Sequence, residues 1–135
     1  MEEYGRVIPG ENVTFTLILY PECNIKKLDN ITIKIANAIC KIIKNLCNID
    51  LEIKEPNDLI LDGKKIGGIL TEINTMGEIV DTLFIGIGFN VKQTIFSENI
   101  TNKATSLYLN NIKNIEIEDV ICAICNELET IIEKF

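Results

Sequence analysis

Histidine is missing altogether from this 135-residue chain. Its absence excludes a Ser-His-Asp triad, a Cys-His dyad and any imidazole metal site. Chemistry must therefore run on Lys, Asp, Glu, Asn or backbone groups, which suits reactions that need positioning and charge neutralisation, such as nucleotidyl or phosphoryl transfer. Long hydrophobic runs are missing too. None approaches the roughly 18 residues that span a bilayer, and Met1-Glu2-Glu3 lacks the basic and apolar regions of a secretion signal. A cytoplasmic location without a membrane partner is expected. Basic charge is scarce: 13 Lys and Arg against 20 Asp and Glu leave a net charge of −7 and a pI near 4.6, which argues against nucleic acid as a main partner. The five cysteines, Cys23, Cys40, Cys47, Cys122 and Cys125, are odd in number and show no repeated ligand spacing, so free thiols and no metal site are expected.

What is present is apolar mass. Nearly half of the residues, 47%, are hydrophobic, enough for one domain over residues 1–135 to bury a core. Asn12 to Tyr20 alternates and then becomes continuously apolar, which predicts a strand covered on both faces at one end. Asp29 or Asn30 is placed to cap a helix with Ile31, Ile35, Ile39, Ile42, Ile43 and Leu46 on its apolar face. Leu51 to Lys54 reads as a short strand, Leu59–Leu61 and Lys64 to about Ile73 as a hairpin about Asp62-Gly63, and Ile79–Phe89 as a buried central strand. A polar loop from Val91 leads to a short helix at Ala104–Leu109. The apolar positions from Val120 to Phe135 recur at helical spacing after Glu116, Glu118 and Asp119. Cys122-Ala123-Ile124-Cys125 falls inside that pattern and reads as core packing. The expected fold is mixed α+β, with helices packed on a largely antiparallel meander. No linker or second domain is evident.

The most informative stretch is Lys54 to Glu72. Pro56-Asn57-Asp58 forms a turn, Asp62-Gly63 is a tight-hairpin dipeptide, and Lys64-Lys65 stand just before Gly67-Gly68, where backbone can approach a ligand. Either Asp58 or Lys65 alone is an ordinary surface residue. A turn carboxylate and a lysine on adjacent antiparallel strands, however, can point into one pocket whose floor the glycines leave open.

Three blocks carry a family resemblance. Lys54-Glu55-Pro56-Asn57-Asp58, then Gly63-Lys64-Lys65-Ile66-Gly67-Gly68-Ile69-Leu70-Thr71-Glu72, then Gly86-Ile87-Gly88-Phe89-Asn90-Val91 resemble, in order and spacing, three blocks of the biotin protein ligases. Pro9-Gly10-Glu11-Asn12 and Ala104-Thr105-Ser106-Leu107 are similar to flanking segments. The resemblance implies a class II aminoacyl-tRNA synthetase-like fold and a two-step reaction: biotin is adenylated by ATP, with Mg2+ accompanying it, and the biotinyl group passes to a lysine of a biotin carboxyl carrier protein. It matches Lys65 to the lysine contacting the biotin carboxylate and α-phosphate, and Asp58 to the aspartate assisting the acceptor lysine. Asn57 and Asn90 match nucleotide-side residues, and Gly67 and Gly68 the glycines beside the ligand.

Departures accompany the matches. Glu55 stands where the family has tryptophan, and Gly5-Arg6 stands at the end of the family's Gly-Arg-Gly-Arg-type loop. Set against the family, the chain is expected to be an N-terminally truncated catalytic domain without the C-terminal small barrel. The alternatives are a subunit of a split ligase or a non-catalytic binding or assembly module, with a lipoate ligase as the nearest enzymatic alternative. Exposed strand edges imply a homodimer or a complementary partner chain.

Overall fold

The computed structural model describes residues 10–100 and 102–135. Gly5-Arg6 and Pro9 lie outside the described residues. Among the described residues five strands form one antiparallel sheet: β1 (Asn12–Leu19), β2 (Glu52–Lys54), β3 (Asp58–Leu61), β4 (Lys64–Met76) and β5 (Ile79–Asn90), in the order β1-β5-β4-β3-β2. Two helices, α1 (Ile31–Cys47) and α2 (Ile117–Ile132), pack on each other and on the sheet. The mixed α+β architecture expected from the sequence is therefore present.

Local chemistry explains the elements. Asp62 at φ 50 and Gly63 at φ 80 supply the two left-handed residues of a tight hairpin between β3 and β4. In α1, Ile35, Ile39 and Ile43 are fully buried at four-residue spacing, and Asn48 ends the helix in the left-handed conformation with its N–H donating to the Lys44 carbonyl at 2.9 Å. Glu118 and Asp119 occupy the first turn of α2, where carboxylates complement the helix dipole.

Register places the core. Val13 opposes Phe89, which opposes Gly67; Phe15 opposes Ile87, which opposes Ile69; Leu19 opposes Leu83, which opposes Ile73. These side chains form the sheet's inner face and join the α1 and α2 isoleucines in one cluster.

Several expectations need correction. Among the described residues β1 is an edge strand covered on one face only: Thr14, Thr16 and Ile18 are exposed, because no described element lies over that side. Asn30 occupies the α1 N-cap position but in the left-handed conformation, and its side chain makes no capping bond. Leu46 is exposed, β4 runs on to Met76, and the turn falls at Gly77. Ala104 lies in an isolated parallel bridge to Lys65, and only Tyr108–Asn110 forms a short 3-10 turn. Cys122 is on the exposed side of α2 rather than in the core, since the buried stripe runs through Val120, Ile124 and Leu128. All five cysteines are free.

Candidate functional site

The outer face of the sheet carries the site. Gly68 opposes Gly88, which opposes Thr14, and Leu70 opposes Gly86, which opposes Thr16. Alternation sends all of these positions to the face away from the helices. The glycines leave that face short of side chains, and a cleft of about 250 Å³ lies over the backbone of Gly68 and Gly86, with Thr14, Thr16, Asn57, Asp58, Lys65 and Leu70 around it.

Lys65 reaches this face through a bulge. Strict alternation would put Lys65 on the side of Gly67 and Ile69, in the core. The β3–β4 register instead pairs Leu59 with Gly67 and Ile60 with Lys65, leaving Ile66 as an extra residue that is fully buried. The slip turns Lys65 outward, where its Nζ lies 3.0 Å from Asp58 Oδ1. The lysine side chain is only 8% exposed and the aspartate 22%, so water screens this ion pair far less than a surface pair.

A strap after β5 holds the lysine backbone. Lys65 N–H donates to the Lys103 carbonyl at 2.8 Å, and Thr105 N–H donates to the Lys65 carbonyl at 2.9 Å. Asn90 Nδ2 in turn donates to the Thr105 carbonyl at 3.0 Å, and Asn110 Nδ2 donates to Thr105 Oγ1 at 2.9 Å and to the Ser106 carbonyl at 2.7 Å. Backbone partners on both sides thus fix the position from which Lys65 extends.

The structure brings together Asn57, Asp58, Lys65 and Gly68 at the cleft. Asn57 also accepts the Ile69 N–H through its carbonyl at 2.9 Å, tying the turn to β4. Gly67 and Asn90 do not line the cleft. A Cβ at Gly67 would stand 2.7 Å from the Gly88 carbonyl oxygen and 2.9 Å from Phe89 Cδ2, so this glycine serves strand packing. Asn90 is buried and its amide serves the strap. Glu55 is exposed, which keeps its charge in solvent. Sequence reading missed Gly86, Thr14 and Thr16 as cleft residues; the spacing of Gly86 and Gly88 within a strand was the available signal. Among the described residues no group of three or more Cys, Asp or Glu is arranged to hold a metal ion, and no helix is long and apolar enough to cross a membrane.

An antiparallel sheet with helices packed on one face is the fold of the class II synthetase-like biotin protein ligases. The profile of the Biotin/lipoate A/B protein ligase family matches residues 4–90, and the chain belongs to that family. It is 38% identical over 100 residues to the bifunctional ligase/repressor BirA of Bacillus subtilis, covering 73% of this chain and 31% of that protein. It is 33% identical over 87 residues to the biotin–[acetyl-CoA-carboxylase] ligase of Paracoccus denitrificans, covering 63% of this chain and 36% of that protein. The chain thus spans about a third of the length of these relatives. Among solved structures, the Aquifex aeolicus biotin protein ligase in complex with biotin and ATP superimposes with a TM-score of 0.77 at 26% identity, covering 93% of this chain and 51% of that one. The Leishmania major ligase in complex with biotinyl-5-AMP shares the fold, with a TM-score of 0.73 at 23% identity over 98% of this chain and 62% of that one.

Proposed function

We propose that this chain carries the chemistry of a biotin–[acetyl-CoA-carboxylase] ligase, forming biotinyl-5′-AMP from biotin and ATP and passing the biotinyl group to a lysine of a biotin carboxyl carrier protein. The observation that carries this reading is the Lys65–Asp58 pair, 3.0 Å apart and poorly exposed, beside a backbone-floored cleft. In the first step a biotin carboxylate oxygen attacks the α-phosphorus. A P–O bond forms, the bond to the β-phosphate bridge oxygen breaks, and pyrophosphate leaves with the electron pair. The Lys65 ammonium faces the negative charge that gathers at the α-phosphate, and the incoming anion takes the place of Asp58 as its partner. The triphosphate would bring Mg2+ with it, which would neutralise part of the phosphate charge.

In the second step the acceptor amine attacks the anhydride carbonyl. The amide bond forms, AMP leaves, and the surplus amine proton goes to Asp58, now released from Lys65. Asn57 and Gly68 contact the ligands; Gly67 and Asn90 shape the wall that holds them. The sequence relatives, named for biotin or as a ligase/repressor, favour biotin over lipoate. A cytoplasmic location goes with this reading, and so does a homodimer or complementary partner chain at the exposed sheet.

The test is biotin-dependent exchange of labelled pyrophosphate into ATP, with lipoate run in parallel. Exchange with biotin is expected, and Lys65→Ala should reduce it by at least about 100-fold, the loss typical of removing a group that stabilises developing charge. No exchange, with the chain alone or supplied with the arginine-loop fragment of a related ligase, would favour a non-catalytic binding module.

A further inference from the structure

A second cavity lies on the opposite side of the molecule from the cleft. It is a groove of about 680 Å³ between α1 and α2. Five of the chain's twelve lysines line it, Lys26, Lys27, Lys34, Lys41 and Lys134, against one acid, Glu127. Five positive charges and one negative give the groove +4; since the whole chain carries −7, the remainder carries −11. Such segregation in an acidic protein focuses positive potential in one concave place. Glu127 is engaged with Lys41 at 3.1 Å near one end of the groove. At the other end, the α1 N-terminus has no acidic side chain in its first turn and no side-chain cap, so its dipole adds to the charge of Lys26 and Lys27.

The floor differs from the rim. Ile31 and Ala38 of α1 face Ile131 of α2 and Phe135 beyond it, forming an apolar strip along the groove. Lys34 and Lys41 lie on one side and Lys134 on the other. Two neighbouring helices with an apolar seam between them accept a third helix by ridge-into-groove packing. Lysines along the rim select carboxylates on that helix's flanks.

We propose that this groove docks an acidic, amphipathic helix of a protein partner, its apolar stripe on the Ile31–Ile131 floor and its carboxylates against Lys26, Lys27, Lys34 and Lys134. Nucleic acid fits less well, because phosphates running past the groove would meet a surface carrying −11. The inference does not depend on the ligase reading, since no residue of the groove belongs to the cleft.

Fluorescence anisotropy with a labelled Leu/Glu amphipathic peptide of about 18 residues tests the proposal, with a scrambled peptide of the same composition and a duplex DNA as parallel probes. The amphipathic peptide should bind the whole chain at least about tenfold more tightly than the scramble, and Lys34→Glu with Lys134→Glu should weaken it by at least about tenfold. Lys34→Arg with Lys134→Arg should keep binding, and Lys113→Glu, outside the groove, should change it less than about twofold. Circular dichroism confirms that each variant is folded. Equal binding of the scramble, tighter binding of the duplex, no binding of the peptide, or indifference to the groove substitutions in folded protein would each overturn the proposal.

Discussion

At the scale of single residues, two glycines one strand apart do different work, and substitution separates them. A Cβ at Gly67 meets the Gly88 carbonyl at 2.7 Å and the Phe89 ring at 2.9 Å, with fixed backbone on one side and the core on the other. Gly67→Ala should therefore destabilise the fold by about 1–3 kcal/mol, the range for overpacking, read as a lower urea midpoint. A Cβ at Gly86 finds only ordinary contacts with Leu70 and Thr16, at 3.6 Å and beyond, yet it points into the cleft. Gly86→Ala should leave the urea midpoint within about 1 kcal/mol of the parent and raise the KM for biotin in exchange. An unchanged KM would remove Gly86 from the ligand floor. The cysteines divide as cleanly. Burial pushes the Cys40 and Cys47 thiols up, only partly opposed at Cys40 by a backbone hydrogen bond, so less thiolate is present near pH 8. Cys122 is exposed, and iodoacetamide should label it at least about tenfold faster than Cys40 or Cys47, the difference vanishing in urea. The raised thiols also fix a sign: the unfolded chain loses these protons first, so their contribution to stability is complete below about pH 8.5 and declines as pH rises above it.

At the scale of elements, the site depends on a strap and a bulge. Asn90→Ala leaves the buried Thr105 carbonyl without its side-chain partner and frees the segment that brackets Lys65. A loss of about 1–3 kcal/mol in urea unfolding is expected, together with weakened exchange. Normal exchange in a destabilised Asn90→Ala protein would show that the strap does not position the lysine. The elements were legible in the sequence where a single rule governs them. Isoleucines at helical spacing gave α1, Asp62-Gly63 gave the hairpin, and Lys54 to Glu72 located Asp58 and Lys65. What stayed hidden is non-local. The bulge at Ile66 is set by where β3 pairs with β4, and an apolar residue beside two glycines does not announce that alternation slips there. The one-sided exposure of β1 depends on which strand it borders. Asn90 and Gly67 match family blocks, but only tertiary contacts show one serving the strap and the other the packing of β4 on β5.

At the scale of the whole molecule, the sheet has one face sealed by helices and another that is only partly polar. Ile18 is 51% exposed and Leu70 59% exposed, on either side of the half-buried Phe84, which opposes Ile18 across the β1–β5 pair. These residues form an apolar band beside the cleft and next to the edge of β1, which pairs with no further strand among the described residues. Water contact with such a band is unfavourable at about 25 cal/mol per Å² of apolar surface, and an edge strand adds unpaired backbone groups to the same region. Self-association through this face satisfies both, whereas the lysine groove on the far side repels a second copy of itself. Sedimentation velocity across micromolar concentrations should show a monomer–dimer shift, and Ile18→Lys with Leu70→Glu should move it to higher concentration by at least about tenfold, because each buries a charge against an apolar partner. A chain that stays monomeric throughout, or a dimer indifferent to both substitutions, would mean that the band is satisfied by a different partner. Because the band borders Thr16 and Gly86, dimer formation would also cover one rim of the cleft, so exchange measured across the same concentrations should follow the dimer fraction rather than the total protein.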